Sequence, residues 1–391
     1  LWGDENGVVT NVVTDSRKAG KGSLFVPIVG ERVDAHRFIP QVMQAGAGVT
    51  FSSRKDVAPA ASGCCIYVED TLAALQKAAA YYRSRFDIPV IGVTGSVGKT
   101  TTKEMISAVL EKKYRVVKTQ GNWNSQIGVA MMMFELEPET ELAIFEMGMS
   151  LPGEMARLVE IAKPQTAVMT NIGVAHIGNL GSRENIAKEK GHIVKYVGTS
   201  HDGKLYICGN GDMKQITREN VPYSLCEAKC PICYYGTEAD CEVRATDLTV
   251  TETGQKFVYH GRQTGEVELS VMGGHNVNNA LVAMALAALA LKESGRFSMR
   301  GERIAAHGYP VIDDTYYASP DSINSNIDAL FDYAKTGQKI VVLGHVLELG
   351  EQSEKLHRGI GEFIVKEAQK GKTLDLVVTV GEGASFIAKQ V

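Results

Sequence analysis

Thr94-Gly95-Ser96-Val97-Gly98-Lys99-Thr100-Thr101 is the stretch of this sequence best suited to chemistry. A glycine-rich turn between a strand and a helix points successive backbone N–H groups inward, where phosphate oxygens can bind. Gly95 and Gly98 supply unusual dihedrals and close approach. Lys99 is placed to reach β- and γ-phosphates, and the Thr100 hydroxyl to ligate Mg²⁺. The full Gly-x-x-x-x-Gly-Lys-Thr spacing is not met, because Val93 stands where its first glycine belongs. Glu146 ends the apolar run Leu142 to Phe145. A carboxylate at the carboxyl end of a strand, facing a phosphate loop, suits Mg²⁺, which takes oxygen ligands. Three other residues read blandly by themselves. His176 follows a strand end and is a poor Mg²⁺ ligand type. Lys190 is one of many helical lysines, and Asn279, at the start of an apolar helix, reads as an N-cap.

The elements that must position these groups alternate. Val90 to Val93, Leu142 to Glu146 and Thr166 to Thr170 read as buried strands, with a helix from Lys99 to about Lys112. Such alternation predicts a parallel, doubly wound sheet. Before it, short strands at 8–13, 23–29 and 49–52 lead to a helix over 71–86, which Asp87-Ile88-Pro89 breaks. From Leu205 to Val271 the pattern turns to β, and an apolar helix follows Asn279. Strand signals at 311–314, 339–343 and 374–379, with helices over 322–331 and 354–369, predict a third βαβ region. The expected fold is therefore α/β in three domains, 1–86, 87–298 and 299–391. The last, with only three strands, reads as incomplete.

Composition sets the limits. The 391 residues carry a formal net charge of -4, with 44% hydrophobic residues, ample for packed cores. The balance argues against a general nucleic-acid binder. No run reaches the roughly 20 apolar residues of a membrane span. The N-terminus lacks the basic-then-apolar pattern of a signal peptide and also lacks an initiator Met, so an upstream start is expected. Seven cysteines, an odd number, fit a reducing cytoplasm better than a disulfide framework. Cys226, Cys230, Cys233 and Cys241 have a zinc-site look, but the second pair lacks the Cys-x2-Cys spacing, and free thiols are expected.

Taken together, the motifs resemble the Mur ligases. Gly92 through Glu104 looks like their ATP loop. Thr14-Asp15-Ser16-Arg17, Gly22 to Val26 and Gly30 to His36 are similar to their N-terminal UDP-binding domain. Gly121-Asn122-Trp123-Asn124-Ser125-Gln126-Ile127-Gly128, Phe145 to Gly148, Asn171 to His176 and Gly274 to Ala280 resemble the central domain. Asp313 to Tyr316, Ser319 to Ser322 and Leu347 to Gly350 resemble the C-terminal one. The resemblance implies a small UDP-binding α/β domain, a central P-loop ATPase domain and a Rossmann-like C-terminal domain. It implies ATP and Mg²⁺ as cofactors, and an acyl phosphate formed with release of ADP and then captured by an amine. Ser16, Arg17, Asn122 and Asn124 would bind substrate. His176 would hold a second Mg²⁺ together with Lys190 carbamylated by CO₂. Asn279 would bond adenine, Arg300 would reach the ATP phosphates and Asp314 would lie near the ribose.

Within the family the resemblance is strongest to the member that joins D-Ala-D-Ala to UDP-MurNAc-tripeptide. That implies a cytoplasmic enzyme of peptidoglycan precursor synthesis, expected to be monomeric. A sister ligase with another amino-acid donor, or an ATP-binding homologue without catalysis, are the competing readings. His192, Tyr317 and His345 stand where the family usually has Glu, Asn and Asp.

Overall fold

The computed structural model describes residues 2–3, 8–30, 33–55, 63–250, 255–269, 274–293, 302–306, 309–313, 323–324, 327, 330–331, 337–346 and 353–391; for 2–3, 288–293, 302–306 and 309–313 only the backbone is described. The chain forms two compact units, Leu1–Glu293 and Ser294–Val391.

The first unit contains two sheets. β1 (Trp2–Gly3), β2 (Asn11–Val13), β3 (Ser23–Phe25), α1 (Ile39–Gln44), β4 (Val49–Ser52) and β5 (Cys64–Tyr67) build a five-stranded sheet in the order β1-β5-β4-β3-β2. All its pairings are parallel except β1 with β5. α2 (Thr71–Arg83) follows, capped by Asp70, whose carboxylate accepts from the N–H groups of Leu72 and Ala73. One face of α2 buries Leu75 and Ala79, four residues apart on the same side.

The second sheet has nine strands. Its elements are β6 (Val90–Thr94), α3 (Lys99–Leu110), β7 (Val116–Lys118), α4 (Gln126–Met133), β8 (Leu142–Glu146), α5 (Glu154–Ala162), β9 (Thr166–Met169), α6 (Ile177–Leu180), α7 (Arg183–Gly191), β10 (Leu205–Cys208), α8 (Met213–Asn220), β11 (Ile232–Gly236), β12 (Val243–Val250), β13 (Gln255–His260), β14 (Thr264–Leu269) and α9 (Gly274–Glu293). The order is β14-β13-β12-β11-β10-β9-β6-β8-β7, with β6 between β8 and β9. Strands β6 and β8 are buried along their whole length, as parallel strands covered on both faces must be. The order reverses around β6, and the ligand crevice of such a sheet lies there, outside the carboxyl ends.

Two expectations are corrected. The segment after Leu205 is not uniformly β: β10, α8, β11 and β12 continue the parallel pattern, and only the β12–β13 and β13–β14 pairings are antiparallel. Amphipathic α8 was hidden by its polar composition. The apolar helix starts at Gly274, so Asn279 lies inside α9 and is not its N-cap.

Packing joins the two sheets. α2 lies against α4 and α5. Leu24, Val49, Leu75 and Ala79 belong to the same apolar cluster as Val129, Phe145, Met155 and Ile172. Tyr82 stacks obliquely with Phe86 and Phe134 and donates its hydroxyl to the Leu136 carbonyl. Arg83, 5% exposed, donates to the carbonyls of Ala162, Phe86 and Ile88 at 3.2, 2.6 and 3.3 Å. It thereby holds the turn that leads into β6.

In the second unit, β15 (Glu302–Ala306) and β16 (Tyr309–Asp313) pair as an antiparallel hairpin. Among the described residues, the strand expected near Val311 pairs with β15 and lies in a different sheet from the following parallel pair. That pair is β17 (Ile340–Gly344) and β18 (Leu376–Val380), connected through α10 (Ser353–Gln369), with α11 (Ser385–Ala388) after it. Ile323, Phe331, Leu343, Ile360 and Ile387 form its core.

Replacing Arg83 by Met is expected to cost about 3 kcal/mol of stability, because two buried carbonyls and one half-buried carbonyl lose their donor. Urea unfolding checks this, and an unchanged midpoint would refute the stapling role.

Candidate active site

The phosphate loop joins β6 to α3. Gly98, at φ 85°, precedes Lys99, and no side chain caps the helix start. The first N–H groups of α3 therefore face outward without an intrahelical acceptor, at the positive end of the helix dipole. Gly95, at φ 149°, admits Thr170: a Cβ there would sit 1.9 Å from the Thr170 hydroxyl. The segment after β9 braces the loop. Asn171 Oδ1 accepts from the N–H groups of Ser96 and Val97 at 3.0 and 2.9 Å. The Thr170 hydroxyl donates to the Val97 carbonyl, and the Gly173 N–H donates to the Ser96 hydroxyl oxygen. Thr94 turns away from the loop mouth and donates to the Met147 carbonyl.

Lys99 folds back over this loop, its Nζ 2.9 Å from the Gly95 carbonyl and 3.4 Å from that of Ser96. Burial lowers its pKa, and the nearby Glu146 opposes that shift. Glu146 is 2% exposed. Its Oε2 accepts from the Thr100 hydroxyl at 2.8 Å and its Oε1 from the Asn124 amide at 2.7 Å. Both donors are neutral. A buried carboxylate held by a hydroxyl and an amide, beside an uncapped helix start, has the oxygen chemistry that Mg²⁺ takes when it bridges phosphates. The residues fit that ion.

Lys190 is 1% exposed on α7, whereas Lys188, two residues before it, faces solvent. Burial, with the like charge of Lys99 behind it, brings the Lys190 pKa from 10.5 to about 7. An amine rather than an ammonium is thus accessible near neutrality. Its neighbour Glu189 turns the other way and accepts from the Met155 N–H at the start of α5. His192 ends α7, its Nδ1 3.1 Å from the Glu189 carbonyl.

The other expected residues are more scattered. His176 is exposed at φ 66°, just before α6. Among the described residues no hydrogen bond or ion pair ties it to Glu146 or Lys190, and no three His, Cys, Asp or Glu side chains gather as a metal group. Asn279 Oδ1 accepts from the Thr102 hydroxyl at 2.9 Å, fastening α9 to α3 behind the loop. Asn122 is exposed in the turn before α4. Ser16 and Arg17 lie beyond the carboxyl end of β2. Arg17 is clamped by both oxygens of Asp15, and these bonds lower the Asp15 pKa to about 2. The guanidinium nevertheless stays open to solvent. Thr101 is exposed on the first turn of α3. Arg300, Asp314, Tyr317 and the stretch from Leu347 to Gly350 lie outside the described residues. His345 follows β17, and its Nδ1 accepts from the Gly383 N–H.

The cysteines do not converge. Cys226 and Cys230 pack into one core cluster, and Cys208 and Cys233 into another.

Sequence reasoning missed Asn171, Thr119 and Lys103. Lys103 shares the 102, 103, 106, 107, 110 stripe of buried positions on α3, a helical spacing that could have marked it as inward-facing.

Comparison with known proteins gives three family matches: Mur ligase family, catalytic domain over residues 8–83, Mur ligase middle domain over 93–287 and Mur ligase, glutamate ligase domain over 295–391. UDP-N-acetylmuramoyl-tripeptide–D-alanyl-D-alanine ligase of Bacillus subtilis is 37% identical over 98% of this chain and 83% of its own length. The Escherichia coli protein of the same name is 32% identical over 96% and 82%. A crystal structure of MurF from Acinetobacter baumannii aligns with TM-score 0.64 and 31% identity, covering 98% of this chain and 83% of that one. MurF from Thermotoga maritima in complex with ADP shares the fold at TM-score 0.64 and 24% identity, over 99% and 98%.

The lowered Lys190 pKa makes stability depend on pH. Between about 7 and 10.5 the folded state binds one proton fewer than the unfolded chain, so this group makes stability rise with pH across that window. At a fixed concentration of dissolved ¹³CO₂, carbamate formation should rise between pH 6 and 8, most steeply below about 7, where the amine is still largely protonated. A ¹³C carbamate resonance that survives Lys190→Ala would refute the assignment.

Proposed function

Because the chain belongs to the Mur ligase family, we propose that it is an ATP-dependent ligase that adds D-Ala-D-Ala to UDP-MurNAc-tripeptide, forming ADP and phosphate. One observation carries the chemistry: the uncapped start of α3 opens beside Lys99, Thr100 and the buried Glu146. The donor and acceptor follow from the relatives, whose similarity runs over nearly the whole chain.

The loop N–H groups and Lys99 bind the β- and γ-phosphates of ATP. For this, Lys99 leaves the Gly95 and Ser96 carbonyls, an exchange of neutral acceptors for anionic ones. Mg²⁺, when bound, offsets phosphate charge. Thr100 and Glu146 would hold it, and His176 with carbamylated Lys190 would hold a second ion. The acceptor's carboxylate oxygen bonds to the γ-phosphorus as the bond to the ADP oxygen breaks. The amine of D-Ala-D-Ala then bonds to the acyl carbon, phosphate leaves and the amine proton is released. No protein nucleophile takes part, so the side chains act by position and charge. Arg17, exposed beyond β2 and steadied by Asp15, is suited to an anionic group of the UDP moiety, with Ser16 beside it. Asn122 would add a substrate contact. Asn124, already on Glu146, orients the carboxylate. Asn279 would serve adenine from behind the loop, and Arg300 and Asp314 would complete the nucleotide site.

No helix among the described residues is long and apolar enough to cross a membrane. A cytoplasmic location agrees with the seven free thiols.

Phosphate release from ATP should require both UDP-MurNAc-tripeptide and D-Ala-D-Ala, and should fall by about 10²-fold or more in Lys99→Ala. Release with a single amino acid replacing the dipeptide would assign a sister activity. ATP binding without release under any combination would overturn the enzyme reading.

A further inference from the structure

Lys103 is a buried cation that the chemistry above does not use. It lies one turn beyond Lys99 on α3 and is 1% exposed. Its Nζ donates to the Thr119 carbonyl at 2.7 Å and pairs with Glu104 at 2.8 Å. Glu104 is half exposed and is shared with Lys118, so the ion pair alone does not explain an ammonium placed in the core.

Thr119 uses all three of its polar groups. Its N–H donates to the Ile144 carbonyl at 3.0 Å, extending the β7–β8 ladder by one residue. Its hydroxyl oxygen accepts from the Glu146 N–H at 2.8 Å. Its carbonyl takes the Lys103 ammonium. Glu146 is thus held from two sides. Thr100 and Asn124 hold the carboxylate, while Thr119 holds the backbone and so fixes where the side chain begins. The carboxylate contacts must adjust when a cation arrives. The backbone contact need not, and Lys103 steadies it.

We propose that Lys103 is a positioning residue for the cation site, acting through Thr119 to set the reach of Glu146. Lys99 and Lys103 share one helix, so the element that takes the phosphates also fixes the carboxylate that takes the cation. This inference rests on the reading of Glu146 as a cation ligand, and the test separates the two.

The experiment measures Mn²⁺ affinity by electron paramagnetic resonance on the full chain with ADP, and ADP affinity in EDTA by calorimetry. Glu146→Gln tests the ligand itself. Lys103→Met and the isosteric Thr119→Val test the relay, and Thr119→Ser retains the hydroxyl. Lys103→Met and Thr119→Val should each weaken Mn²⁺ about tenfold, in the range of outer-sphere substitutions. ADP affinity without metal should stay within about twofold, and Thr119→Ser should bind as wild type. The double variant should be no weaker than either single one, as expected of one chain of contacts. If Lys103→Met fails to fold, Thr119→Val decides. Unchanged Mn²⁺ affinity in Thr119→Val, with Glu146→Gln impaired, overturns the relay. An equal loss of metal-free ADP binding also overturns it, since that marks a general distortion of the loop. Unchanged affinity in Glu146→Gln overturns the cation reading beneath it.

Discussion

A carboxylate that is almost wholly buried must be fully hydrogen-bonded, and Glu146 imposes that condition on the whole centre of this protein. Its two oxygens need donors, and Thr100 and Asn124 supply them from opposite directions. Thr100 belongs to the helix after the phosphate loop, and Asn124 to the turn before α4. The requirement therefore fixes the loop, the strand end and that turn against each other. Neither donor carries a charge, so these two hydrogen bonds leave the carboxylate's charge in place, with Lys99 as the nearby cation.

The phosphate loop is shaped by a second set of bonds, from the segment that follows β9. Asn171 bonds two loop N–H groups with one side-chain oxygen, and Thr170 comes so close to Gly95 that no side chain fits there. These contacts depend on β6 lying between β8 and β9, because that order alone brings both strand ends to the loop. The first N–H groups of α3 are left outside this bracing. Rigidity and an open anion site are thus obtained from different residues of the same turn.

Two lysines face this region, and each opposes the charge of the other. Lys99 lies on the loop, and its charge works together with burial to hold Lys190 near neutral. A lysine in that state can be converted by CO₂ into an anion, which would turn repulsion from Lys99 into attraction. Burial, usually a cost for lysine, is here what gives the amine its chemistry.

Much of this was legible in the chain. Strands β6 and β8 follow from unbroken apolar runs, and the loop from glycines set between a strand and a helix. The helix over α2 follows from its apolar spacing, although it ends at Arg83, where the side chain turns to cap carbonyls. Other features were not legible, because they depend on partners far apart in sequence. α8 was masked by polar residues on its outer face. Asn279 read as a cap because local sequence cannot show that α9 begins five residues earlier, or that Thr102 is its partner. Lys188 and Lys190 could not be separated by composition, since only packing decides which side of α7 is buried. Periodicity and turn chemistry act over a few neighbours, so the chain alone shows most of the strands and helices and the residue types at the loop. That Glu146, Thr100, Asn124, Thr119 and Lys103 form one set of contacts emerges on folding alone, because hydrogen bonds between separate strands and helices exist only once the sheet has set their order.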